Sequence, residues 1–267
     1  MNNEKLWDEY LRGKQTYAQL ALTYNCSVKT IQRRIDDVKV SLKPVNGCEV
    51  VVLMDTTYFG RTFAVMLFKD ALTGKNLYWQ YIKYETNQLY AQGITHLQNT
   101  GFTIKGIVCD GRKGLLKLFG DIPVQMCQFH QIAIVTRYLT RKPKTEAAKE
   151  LRALTLKLTQ TDKESFEGAL MDWHQKWGNY LNERTTDQVT KKSRYTHRRL
   201  RSAWRSLYTN LPWLFVWYDN IELSIPNTTN MIDGHFADLK NKLRNHNGLS
   251  MKRKTKFMDG FLRCNGQ

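Results

Sequence analysis

A chain of 267 residues, 42% hydrophobic and 12% aromatic, is long enough for one large core or two small ones. Its 41 Lys and Arg against 24 Asp and Glu leave a formal net charge of +17. That excess favours a polyanionic partner such as nucleic acid, because each neutralised phosphate releases counterions, but ribosomal and membrane-surface proteins share it. No run of about 18 apolar residues is present to span a membrane, and the opening Met-Asn-Asn-Glu-Lys-Leu-Trp lacks a signal-peptide pattern. The five cysteines are odd in number and widely spaced, which suits reduced thiols better than a disulfide framework or zinc knuckle. The expectation is a cytoplasmic, nucleoid-associated protein.

From Leu11 to about Val40 the chain reads as a compact helical unit. Apolar residues in Tyr17-Ala18-Gln19-Leu20-Ala21 recur at helical spacing, Tyr24-Asn25-Cys26 forms a turn, and Ser27 can cap a helix from Val28 to about Asp36. Leu20, Ala21, Val28, Ile31 and Ile35 then bury one face, while Lys29, Thr30, Gln32, Arg33 and Arg34 stay outside. This is the layout of a helix-turn-helix, whose second helix enters the major groove. An ordinary helical hairpin with a solvated basic face has the same pattern. Val40 to Gly47, with Pro44 and Asn46-Gly47, reads as a linker.

Val50-Val51-Val52-Leu53-Met54 reads as a strand buried on both faces, and Asp55 follows at its exit with no packing reason to be there. Arg61 to Lys69 and Leu77 to Ile82 form second and third strands, joined to the first as an antiparallel meander. An amphipathic helix covers Asn87 to Asn99, with Gly101 to end it. A fourth strand, Ile104 to Cys109, stops on Asp110; a short helix covers Lys113 to Phe119; Val124 to Cys127 is a fifth strand; and a helix runs from about Phe129 to Leu139. If the first and fourth strands lie parallel, both aspartates emerge at one edge of the sheet, where open α/β sheets place their ligands. Two hard oxygen donors there suit Mg²⁺. Either aspartate alone is an ordinary turn former or helix cap, so the pair carries more than its members. The order of elements is that of an RNase H-like fold with a mixed five-stranded sheet.

Beyond Arg141 the strand signal fades. Helices are expected over Glu146 to Leu158, Asp162 to Asn182 and Arg194 to Tyr208, and on the last of these Arg194, Arg198, Arg201 and Arg205 share one face, suited to a phosphate backbone or simply solvated. Next, the Asn227-Thr228-Thr229-Asn230 cluster caps a helix with apolar Ile232, Phe236, Leu239 and Leu243. Asp233 sits at the margin of that packed face, where it can be aimed at Asp55 and Asp110 or can simply stabilise the helix dipole.

Taken together, Asp55-Thr56-Thr57-Tyr58, Cys109-Asp110-Gly111, Cys127-Gln128-Phe129-His130 and the stretch from Asn227 to Gly234 resemble the DDE/D transposases of bacterial insertion sequences, in the group of the Mutator-like enzymes. The resemblance covers residue 48 to the C-terminus. It implies a helix-turn-helix domain at 1–42, an RNase H-like core at 48–140, an all-helical insertion at 141–218, and a final catalytic helix with a C-terminal tail at 219–267. Asp55 matches the first acid, Asp110 the second and Asp233 the third, which in these relatives is usually Glu; Asp238 and Glu222 are the fallbacks. Cys127 and His130 match a C/D-x-x-H element, which is half a zinc site at most and is read as packing and DNA contact.

The resemblance further implies two Mg²⁺ ions in the active complex, with Mn²⁺ as substitute, held by Asp55, Asp110 and Asp233. The partners implied are double-stranded DNA, as terminal inverted repeats and target, and a second copy of the chain as a homodimer. Lys29, Gln32, Arg33 and Arg34 would read the repeats. Arg61, Arg112, His130, Arg194, Arg198, Arg201, Arg205, Lys240 and Arg244 would line the path of the DNA. Two rivals stay open: an RNase H-like nuclease that does not join strands, and a helix-turn-helix regulator with no chemistry.

Overall fold

The computed structural model describes residues 2–40, 47–61 and 63–264, so most of the expected linker, including Pro44 and Asn46, lies outside the described residues. The chain begins with a helix the sequence reading omitted. In α1 (Asn3–Leu11) the Asn2 side chain accepts the backbone N–H groups of Glu4 and Lys5, and Leu6, Tyr10 and Leu11 are buried. Helix α2 (Tyr17–Thr23) opens with a capping box between Thr16 and Gln19, and Ser27 caps α3 (Val28–Asp37) by accepting the Thr30 N–H. Leu20, Ala21, Ile31 and Ile35 fill the space between the three helices. Val28, expected on that face, is the first residue of α3 and stays 40% exposed.

The sheet follows as expected. Strands β1 (Glu49–Phe59), β2 (Phe63–Asp70) and β3 (Asn76–Ile82) form an antiparallel meander, helix α4 (Asn87–Asn99) crosses over, and β4 (Thr103–Cys109) returns parallel to β1. After a 3-10 turn at Leu115–Lys117, which replaces the short helix expected there, β5 (Val124–Met126) adds parallel to β4. The resulting order is β3-β2-β1-β4-β5, a mixed five-stranded α/β sheet. One expectation changes. Strand β1 does not stop at Asp55 but runs on to Phe59, because β2 pairs with it over its whole second half, whereas its pairing with β4 ends at Leu53 opposite Val108. Asp55 therefore sits where its neighbouring strand stops, not where its own does.

Side chains alternate along β1. Val50, Val52 and Met54 face the core shared with Tyr90, Ile94 and Leu97 of α4, and Val51 and Leu53 face the opposite core. Helix α5 (Gln128–Leu139) leads from β5 into α6 (Glu146–Leu156) and α7 (Lys163–Asn182). The segment expected to be all helical then holds a hairpin of β6 (Arg184–Thr186) and β7 (Ser193–Tyr195). Its turn is closed by Asp187, whose carboxylate accepts the N–H groups of Val189 and Thr190, and the Tyr195 ring lies between the guanidinium groups of Arg184 at 4.5 Å and Arg201 at 4.0 Å. Arg194 thus lies on β7, and α8 (Arg198–Leu214) begins only at Arg198, so the four arginines do not share a helix face; the local hairpin contacts win over helical propensity.

Where α8 ends, just before α9 (Val216–Asp219), the buried Gln125 and Gln128 side chains both donate to the Leu214 carbonyl, anchoring this segment to β5 and α5. Two helices close the other face, α10 (Asn230–Arg244) and α11 (Met251–Cys264), the second standing where only a tail was expected. Phe257, Met258, Phe261 and Leu262 of α11 are buried between the sheet and α1–α3. Asp259 accepts hydrogen bonds from Trp79 Nε1 at 3.0 Å and Tyr81 OH at 2.7 Å, while on the opposite side Arg253 pairs with Asp36 at 2.7 Å. Among the described residues no helix is long and apolar enough to cross a membrane.

A candidate metal centre at the sheet edge

By the alternation of β1, Asp55 points to the same side as Val51 and Leu53, the side covered by α10. Ile232, Phe236 and Leu239 bury one stripe of α10 against the sheet, and Asp233, next to Ile232, is carried to the rim of that contact. His130 comes from the first turn of α5, just past the end of β5. One ligand atom from each of Asp55, His130 and Asp233 lies within 4.8 Å of the others. Asp233 Oδ2 and His130 Nδ1 are buried without a hydrogen-bond partner.

The electrostatics match the geometry. Burial, reinforced by the charges of Asp233 and Asp110, pushes the Asp55 carboxyl up to about 7, although His130 and the Thr56 N–H act in the other direction. The Cys127 sulfur, with Asp55 and Asp233 in support, pushes the His130 imidazole up to about 9 against the cost of its own burial. His130 thus faces an Asp55 carboxyl whose desolvation is only partly offset by the positive charge beside it.

Cys127, read from the sequence as packing and DNA contact, joins two helix starts. Its Sγ accepts both the N–H and the hydroxyl of Thr229 at 3.3 Å, and the Gln128 N–H donates to the Asn227 carbonyl at 2.9 Å. These bonds stitch the start of α5 to the start of α10 and so fix His130 relative to Asp233. They also correct an expectation: Thr229 is the N-cap of α10 but makes no side-chain cap bond, because its hydroxyl is directed to Cys127.

Asp110 stands beside the cluster and raises the Asp55 pKa, yet it is outside the 4.8 Å group. Its Oδ1 accepts the Arg112 N–H at 3.1 Å. Arg112 is drawn inward: Nε donates to Asn87 Oδ1 at 2.8 Å, one terminal nitrogen donates to the Glu85 carbonyl at 2.9 Å, and the other stands 3.7 Å from Glu85 Oε2. Glu85 Oε1 accepts the Tyr90 hydroxyl at 2.9 Å, which shares a second hydrogen bond of 2.9 Å with Thr56. Glu85 therefore links the residue after Asp55 to the turn after Asp110, and burial pushes its carboxyl up from the ordinary range. The signal in the sequence was a lone acid between β3 and α4, which spacing does not connect to either aspartate.

The remaining expected residues spread over the surface. Lys29 and Arg33 are exposed and Gln32 is half-buried on the outer side of α3, while Arg34 turns back to Asn3 of α1 at 3.3 Å. Arg61 is exposed at the tip of the β1–β2 hairpin, and Arg198 and Arg205 are exposed on α8, where Arg201 is engaged by Asn182 and Tyr195. Lys240 lies over the Phe59 ring and Arg244 is exposed one turn further on. The fallback acids stay apart from the cluster: Asp238 is paired with Lys242 at 2.6 Å and Glu222 is exposed. Neither a protein-family model nor a curated protein matches the chain, so its function has to be read from this geometry.

Proposed function

We propose that the chain is a DDE/D-type DNA transposase, a metal-dependent polynucleotidyl transferase that cleaves at the ends of a mobile element and joins the freed 3′-hydroxyl to target DNA. The observation that carries this reading is the convergence of Asp55 and Asp233, nearly 180 positions apart in the chain, on one point beside His130, with Asp110 adjacent. The strand order β3-β2-β1-β4-β5 supports an RNase H-like core, and the exposed Lys29 and Arg33 on α3 support a helix-turn-helix that reads the terminal repeats.

The donors fit a divalent ion. The buried, unpartnered Asp233 Oδ2 and the burial-raised carboxyl of Asp55 are groups that a bound cation would satisfy. Asp55, Asp110 and Asp233 would hold Mg²⁺, or Mn²⁺ in its place, as the two ions of the active complex. When bound, such ions polarise the scissile phosphate and stabilise the departing oxygen. His130, charged at neutral pH, is suited to donate to a phosphate oxygen beside the carboxylates. Glu85 and Arg112 hold the turn that carries Asp110. Two ends must be cut and joined together, so a homodimer on double-stranded DNA is the working unit.

The test uses labelled duplexes taken from the flanks of the chain's own coding sequence, incubated with Mg²⁺ or Mn²⁺. Cleaved and joined products, both lost in Asp55→Asn, are expected. Cleavage without joining would move the reading to an RNase H-like nuclease, and DNA binding with neither product would move it to a regulator.

A further inference from the structure

We propose that Asp55, His130 and Asp233 form a site for Zn²⁺ or another borderline-soft divalent ion, which shuts the centre off by competing with the Mg²⁺ pair. This rests on the transferase reading and names a regulation of its site. One carboxylate oxygen from each aspartate and one imidazole nitrogen lie within 4.8 Å of one another. In a tetrahedral zinc site, donors at about 2.0 to 2.1 Å from the ion stand roughly 3.3 Å apart, so the set has to draw in by about 1.5 Å at most. The donor types decide between ions. Magnesium takes oxygen ligands in a near-ideal octahedron and keeps several waters, whereas imidazole suits zinc, cobalt and nickel. Asp110, which a magnesium pair needs, stands outside the group, and its Oδ1 accepts the Arg112 N–H at 3.1 Å.

Burial gives an independent reason. Asp233 Oδ2 and His130 Nδ1 are both buried without a hydrogen-bond partner, and an ion bound by the two residues removes that cost. Cys127, which spacing pairs with His130 as half a zinc site, is not in the group. Its sulfur accepts the N–H and hydroxyl of Thr229 and ties α5 to α10, so His130 and Asp233 are held together before any ion arrives. Beside Cys127 and the two carboxylates His130 keeps its proton; a divalent ion on those carboxylates reverses the local field, and the proton leaves to solvent as the ring binds. An ion held this way blocks the reaction twice. It takes Asp55 and Asp233 from the Mg²⁺ pair, and it removes the proton with which His130 would hold a phosphate oxygen.

The experiment measures Zn²⁺ binding to the full chain without DNA, by competition with a chromophoric chelator. Excess Mg²⁺ should weaken the apparent zinc affinity, since the two ions share Asp55 and Asp233. His130→Gln should lower that affinity at least about tenfold, the least that disturbing a ligand costs, and Asp110→Asn should leave it within about threefold. X-ray absorption of the wild-type zinc complex, which does not depend on any variant folding, should show one imidazole among oxygen donors and no sulfur. Cleavage with Mg²⁺ should stop when the site is loaded with Zn²⁺ and return once a chelator strips the zinc and Mg²⁺ is restored. Zinc held through sulfur, an affinity that ignores His130→Gln or Mg²⁺, or full cleavage with the site loaded overturns the proposal. Binding is read apart from cleavage. A chain that cuts no DNA under any condition loses the transferase reading with the zinc site intact, and one that cuts DNA but holds zinc elsewhere loses the zinc site alone.

Discussion

Asp233 occupies a position where the resembled transposases usually carry glutamate, and its shorter side chain already reaches to within 4.8 Å of Asp55 and His130. Lengthening it should therefore misplace the carboxylate. Asp233→Glu is expected to lower the cleavage rate by about 100-fold, the order lost for a displacement of about 1 Å at a reacting centre; a rise in activity would mean the aspartate is a lesion, not an adaptation. Glu85 acts one step further out, through Tyr90 and Arg112. Glu85→Gln should weaken Mn²⁺ affinity and turnover by about tenfold while leaving the KM for DNA in place, as losses of outer partners of metal ligands do. A metal titration that does not move would remove Glu85 from the site. The sequence showed Asp55 and Asp110 because each ends an apolar run, and Asp233 through the resemblance. Glu85 and the bonds from Cys127 to Thr229 were not legible, since each joins segments whose spacing in the chain carries no trace of their contact.

Among the elements, strands β2 to β5 and the helices α4, α5 and α7 could be read from apolar period and caps, within a residue or two of their ends, whereas β1 runs on past Asp55 to Phe59. The hairpin β6–β7 was missed because its stability is local and polar, from Asp187 in the turn and Tyr195 between two arginines. Helix α11 was missed for a different reason: Phe257, Met258, Phe261 and Leu262 recur at helical spacing, but a basic flank made the stretch read as a tail. Helix α4 owes its close approach to the sheet to Gly93. A Cβ there would stand 2.0 Å from the ring carbon Cζ of the buried Phe68. Gly93→Ala should destabilise the fold by about 1 to 3 kcal/mol through overpacking, in spite of its better helix propensity. Urea denaturation is the check, and a variant as stable as the wild type would show that α4 is free to move outward.

At the scale of the whole molecule, α1–α3 share one buried cluster with α10, α11 and the lower face of the sheet. His246 stands in this seam, 4.3 Å from the Tyr10 ring and 4.9 Å from that of Phe257, with Nε2 buried and unpartnered. Burial holds its pKa below the usual value near 6.5, so the folded chain favours the neutral ring. The stabilisation is present above about pH 6.5 and is lost as the pH falls below it. The melting temperature should drop from pH 7.5 to 5.5, and by less in His246→Phe; identical drops would assign the effect to other groups. The same seam sets a distance. Bonded to α3 on one side and to β3 on the other, α11 ties the helix that would read base sequence to the sheet that carries Asp55 and Asp110. On the transferase reading such a molecule would work as a ruler: moving the repeat one base pair along the duplex should move the cut by one base pair in the same direction, and should not leave it where it was.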